Sequence, residues 1–299
     1  MTACANTATP SAVRLIELAP GVYMSPGTGG AADETNLGRI GNSGFIVGDS
    51  GVVALDTGTS YAHGKALLAA IRSVTVKPVR VALITHTRPE FLFGGAAFRE
   101  ASIPIRMHRR TAGLMASRCE TCLKTLRQTL GPEAMLGTAI YKADQEYDAT
   151  HDLESIGRPV RVLSFGHSSG PGDSAVFDAR SGVLFAGGLL DVRRIPDIQD
   201  SDLQGWKSAL RALRALNPSR VVPGHGAAAA APRAIAEVER YLAALEKRAR
   251  ALLEAGTSLL DVAEACELPE YQDWDQYDAI HRRNASIAFL RFERELMFK

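Results

Sequence analysis

Three side chains that can move a proton, hold a cation or bind an anion crowd one short stretch, Thr85-His86-Thr87-Arg88-Pro89-Glu90-Phe91. Imidazole serves as a base or metal ligand near neutral pH, and a carboxylate supplies oxygen ligation or charge. Guanidinium is a permanent cation with no lone pair to give a metal. A further histidine, His225, stands in the turn Pro223-Gly224-His225-Gly226. Between them, His167-Ser168-Ser169-Gly170-Pro171-Gly172-Asp173 brings imidazole, hydroxyls and a carboxylate into one glycine-rich segment. These groups admit acid–base chemistry with His86 or His225 as base and Arg88 as binder of an anionic substrate group. Ser168 and Ser169 lack the Gly-x-Ser-x-Gly elbow of a nucleophilic serine and read as turn residues. Cys119-x-x-Cys122 lies within a helical pattern with no second Cys or His pair near it, so it reads as two ordinary helix cysteines, with a redox pair as the alternative.

The elements that must position these groups follow from periodicity. Residues 79–84 form an apolar, β-branched run of strand length, and apolar spacing at 91–100 is helical, which puts His86, Arg88 and Glu90 in a strand-to-helix loop. Strands at 43–47 and 52–55 flank a Gly-Asp-Ser-Gly turn, and Asp56-Thr57-Gly58 precedes a helix at 61–74. Strands are also expected at 13–18, 21–24, 103–107, 160–165, 174–177, 183–186 and 220–222. Helices are expected at 112–130, 203–216, 230–255, 258–266 and 276–297. Residues 27–41 read as an exposed loop, and 134–149 as loop and edge strand.

With 299 residues and 46% hydrophobic content, the chain can bury a large core. The expected division is a disordered tail over residues 1–12 and one domain over 13–299. The 34 basic and 33 acidic residues nearly cancel without long blocks, which argues against nucleic acid as a partner. No apolar run reaches the length of a bilayer span, so the expected partner is a small molecule. The start shows no secretory signal, so a cytoplasmic location is expected, or a periplasmic one if the true start differs. Oligomeric state is not readable. His63 and His151 are expected on the surface and His108 at a strand end. His281 and Asn284, one helical turn apart, are expected to pack or hydrogen-bond.

In order and spacing, Asp56-Thr57-Gly58, the His86 loop, Gly172-Asp173, Leu184-Phe185-Ala186-Gly187, Leu203-Gln204-Gly205-Trp206 and Val222-Pro223-Gly224-His225-Gly226 resemble the metallo-β-lactamase fold superfamily. With Arg194-Ile195-Pro196 and His281-Arg282-Arg283-Asn284, the resemblance narrows to quinoprotein relay system zinc metallohydrolases over residues 16–296. It implies an α/β (α+β) four-layer αββα sandwich with its pocket at the edge of both sheets. It also implies zinc held by histidines and aspartates, which makes a hydroxide nucleophile.

Against that pattern, His86 keeps the first ligand position, Arg88 and Phe91 replace two histidines, and Glu90 replaces an aspartate. Either His167 or Ser169 falls at the next position, depending on register. Gly188 stands for the bridging aspartate, with Asp191 further along and expected to be out of reach. His225 is retained. Asp56 is expected beneath the metal loop or, with Thr57, as a helix N-cap. The resemblance therefore implies no two-zinc site. It leaves either no metal or one divalent ion (zinc, iron or manganese) through His86, Glu90, His167 and His225. In the metal-free case Arg88 takes the lost ion's volume and pairs with Glu90 or Asp173. Two functions follow: a hydrolase-like protein acting on an ester, thioester or lactam, or a metal-free pseudoenzyme that binds a ligand or regulates.

Overall fold

Alternation along β4 (Val52–Leu55) shows how the layers arise: Val53 and Leu55 point into a cluster shared with the second sheet, while Val52 and Ala54 meet helices on the other face. The computed structural model describes residues 12–298, so all but one residue of the expected 1–12 tail lies outside the described residues.

The first sheet runs β1 (Ile16–Ala19), β2 (Val22–Ser25), β3 (Ser43–Val47), β4, β5 (Val79–Ile84), β6 (Ile105–His108) and β7 (Gln145–Tyr147) in spatial as in chain order. Its first four strands are antiparallel, and β4 to β7 pair in parallel through helical crossovers. The second sheet contains β8 (His151–Leu153), β9 (Val160–Ser164), β10 (Ser174–Asp178), β11 (Val183–Gly187), β12 (Arg220–Pro223) and β13 (Ala229–Ala230), laid side by side in that sequence. Only β11 and β12 pair in parallel.

Val22, Ile46, Val81, Leu83, Val162, Val176 and Val222 fill the space between the sheets. Outside the first sheet, α1 (Tyr61–Val74), α3 (Gly95–Glu100) and α4 (Arg109–Leu130) cover Phe45, Ala82 and Ile84. Outside the second, α5 (Leu203–Leu216), α6 (Ala231–Glu254), α7 (Leu259–Ala265) and α8 (Arg282–Met297) bury Trp206, Tyr241, Val262 and Phe289. The architecture is the expected αββα sandwich. Among the described residues no helix is long and apolar enough to cross a membrane.

Two helices expected to be continuous are interrupted. The 91–100 segment divides into α2 (Pro89–Leu92) and α3 because Gly94 presses on the first sheet: a Cβ there would lie 1.9 Å from the Thr57 carbonyl oxygen. The Thr57 hydroxyl binds the carbonyls of Phe91 and Leu92 at 3.1 and 2.9 Å, fixing the turn that holds Glu90 and Phe91. Residues 277–281 form a π-helical turn before α8. There Asn284 donates to the Pro196 carbonyl and accepts from Ile198 N–H, and its amide also reaches the Tyr241 hydroxyl, which contacts His281 Nδ1. α8 thereby braces the loop that carries Asp197.

Candidate functional site

Asp56 follows β4 in a left-handed backbone conformation (φ +58°) that turns its carboxylate beneath the next strand's loop. It accepts from the Thr85 N–H at 2.8 Å and from the Thr85 hydroxyl at 2.8 Å. Burial pushes the Asp56 carboxyl up to about 7 against these two bonds. The N-cap of α1 is Ser60, so neither Asp56 nor Thr57 caps it. The Thr85 oxygen also meets His86 Nδ1 at 2.7 Å. When Thr85 donates to Asp56, its oxygen accepts from Nδ1–H, leaving the lone pair on Nε2. That Nε2 is buried with no hydrogen-bond partner among the described residues. Burial, with the Arg88 charge nearby, pushes the imidazole down to about 3, so His86 is neutral and a weak base.

His225 is held in the opposite state. Its Nδ1 lies 2.9 Å from Asp191 Oδ1 and its Nε2 3.1 Å from Glu90 Oε1, while its backbone N–H also donates to Asp191. Burial would lower its pKa, but Asp191 and Glu90 outweigh that and raise it, which favours the form with hydrogen on both nitrogens. Burial likewise opposes the Glu90 charge, yet His225 and Arg88 hold its carboxyl down to about 2. His225 is thus held between two carboxylates, which disfavours the base role expected of it. Asp191, expected out of reach, is its nearest partner, because the Gly187-Gly188 turn folds the chain back. Phe91 lies between the two histidines, its ring centroid 4.2 Å from that of His86 and 5.3 Å from that of His225.

Arg88 does not pair with Glu90 or Asp173 as expected. It reaches Asp197, with Nη1 to Oδ2 and Nη2 to the carbonyl oxygen both at 3.5 Å, because the braced 196–198 loop delivers that residue. Asp197 also binds Arg283 at 2.7 Å. The register of the glycine-rich loop is resolved in favour of Ser169. Its hydroxyl donates to Asp173 Oδ2 at 2.6 Å, whereas His167 turns outward to the Asp200 carbonyl at 2.7 Å and lines a different cavity. His167 is therefore removed from the expected ligand set. Burial raises the Asp173 carboxyl to about 6. Gly188 is packed so closely that a Cβ would lie 2.9 Å from Asp173 Oδ2 and 3.0 Å from the His86 ring.

These groups border a cavity of about 320 Å³, lined by His86, Arg88, Glu90, Ser169, Asp173 and Asp197, with Arg118, Cys119 and Cys122 from α4 on another wall. Burial and the adjacent Cys122 push the Cys119 thiol up to about 12, so it is not a ready nucleophile. His63 is not on the surface: it is buried, and its Nδ1 accepts from Thr59 N–H at 3.2 Å. His108 is buried and caps α4 through Arg110 N–H. Asp197 was not legible as a site residue, since it falls in no motif and arrives through loop folding, and Asp191 was visible only as a distant reserve.

Zinc requires several lone pairs converging on one point. Here both His225 nitrogens face carboxylates, Arg88 offers only N–H groups, Phe91 separates the histidines and Gly188 has no side chain. Among the described residues no three His, Cys, Asp or Glu side chains are grouped to hold an ion. This donor set does not fit a two-zinc centre.

The sandwich agrees with comparison to known proteins. The description of the metallo-β-lactamase superfamily matches residues 37–225, and the chain belongs to that family. A metallo-β-lactamase from Pontibacter korlensis superposes with a TM-score of 0.63 at 18% identity, covering 77% of this chain and 98% of its own. One from Hirschia baltica gives 0.61 at 21% identity, covering 78% and 98%. At these identities the likeness is one of fold. No curated protein matches the sequence.

Proposed function

We propose that this chain binds a small molecule carrying an anionic group in the His86–Arg88 cavity and does so without a catalytic zinc pair. The observation that carries the reading is the Glu90–His225–Asp191 clamp, which occupies both nitrogens of the retained histidine. Arg88 supplies the anchor: a guanidinium has five N–H donors, and among the described residues it makes two contacts, both long. The cavity volume of about 320 Å³ suits a compact organic ligand. Asp173 and Ser169 would bind donor groups on that ligand.

One observation favours a second reading. The buried, unpartnered His86 Nε2 is a ready donor for a single divalent ion (zinc, iron or manganese), which would support hydrolase-like action on an ester, thioester or lactam. Metal analysis of protein purified without chelator separates the two. Metal well below one equivalent is expected, before and after incubation with zinc. About one equivalent, lost on His86→Ala, would replace the first reading with the second.

A further inference from the structure

The largest cavity is not the one beside His86. A groove of about 840 Å³ lies where the outermost strands of the two sheets, β1 and β13, come together. Its lining holds four arginines, Arg14, Arg193, Arg194 and Arg220, against one carboxylate, Asp275. Between the charges the surface is apolar: Ile16, Leu18 and Met24 on one wall, Val192 and the alanines at 227–230 on the other.

The arginines are not equivalent. Arg193 is engaged by Asp273 and lies over the Trp274 ring. Arg194 is nine-tenths buried and rigidly placed: Nη1 donates to the Gly30 carbonyl and to Asp275, and the main chains of 193–195 and 275 bond to each other. Its Nε–H is nevertheless a buried donor with no partner among the described residues. Leaving such a donor unmade costs stability, so a site that keeps one is prepared for an acceptor. Arg220 gives one long contact, 3.3 Å, to the Leu18 carbonyl and makes no ion pair among the described residues, nor does Arg14. Excess positive charge, an unmet buried donor and an apolar floor together define one ligand chemistry.

We propose that this groove is a second binding site, for a small amphiphilic carboxylate, with its head group on the arginines and its hydrocarbon body over Ile16, Leu18 and Met24. The site is independent of the His86 cavity, but it reaches the turn that carries His225: Gly226 is part of its wall, and the N–H of Val192, another wall residue, donates to the His225 carbonyl at 3.0 Å.

Octanoate, titrated calorimetrically into the full chain with 1-octanol and octylamine as matched probes, tests the site. Saturable binding of octanoate is expected, with both probes weaker by about tenfold or more. The Arg14→Glu/Arg220→Glu double variant changes only exposed side chains and should weaken octanoate by about tenfold or more while melting as wild type does. Ala228→Trp, which fills the groove, should abolish binding there, and Arg88→Ala, which acts on the other cavity, separates the two sites. The proposal is overturned if octanoate does not bind, if octanol binds as tightly, or if Arg88→Ala removes the octanoate binding that a folded double variant keeps.

Discussion

Arg158 meets Asp178 through two short contacts, 2.7 Å at Nε and 2.6 Å at Nη2, and gives Nη1 to the carbonyls of Pro20 and Val47 at 3.0 Å each. Arg88 reaches Asp197 only at 3.5 Å from each terminal nitrogen. The first pair is sealed, with side chains 3% and 0% exposed, and knits β9 and β10 to the first sheet's hairpin. The second lines a cavity and shares its aspartate with Arg283. A guanidinium with four of its five donors met inside the core holds a fold together. One with donors to spare beside a cavity can hold a ligand.

The comparison breaks most sharply at the sealed pair. Arg158→Ala should strand the Asp178 carboxylate and cost about 3–5 kcal/mol of stability, read by urea unfolding. A loss no greater than that of Arg88→Ala would undo the distinction.

The two regions should also answer pH with opposite signs. Burial works against the Asp178 charge, but bonds from Arg158 and Ser181 hold its carboxyl below the ordinary range. Its contribution is present above the unfolded carboxylate value of about 4 and is lost as pH falls through the lower folded value. Asp173 is reversed: burial raises it to about 6, so its stabilising protonated form is fully present below about 4 and is lost as pH rises through about 6. Melting curves of Asp178→Asn and Asp173→Asn against wild type should therefore diverge. The first variant should fall further behind wild type as pH rises from acid, and the second should gain on it. Parallel curves would remove the contrast.

The smallest effect is Arg88→Ala on stability alone, about 1 kcal/mol or less, because Asp197 keeps Arg283. That variant should instead lose affinity for ligands of the His86 cavity. A large fall in melting temperature would make Arg88 a second Arg158.

Strand runs such as 81–84 and 52–55 were legible because burial on both faces writes itself as continuous apolar sequence. The His86 loop and the His225 turn could be found because each is local in sequence. The choice between His167 and Ser169 could not be read, since the turn at Gly170–Gly172 decides which side chain faces inward. The roles of Asp191 and Asp197 escaped for a related reason: they depend on partners 34 and 109 residues away in the chain. His63 looked like a surface histidine on an amphipathic helix, but it is buried against Gly58, where a Cβ would meet its ring at 2.4 Å.

Asn42 ties the halves of the molecule. Its amide donates to the carbonyls of Pro223 and Gly226, 181 and 184 residues away, its oxygen accepts from Gly27 N–H, and its own N–H donates to the Gly224 carbonyl. The turn bearing His225 therefore takes its final shape on a template made near the start of the chain. During synthesis, that template must wait until about three quarters of the sequence has emerged. Contacts of such span close late and slowly, so assembly of the His225 clamp reports that the two halves have docked.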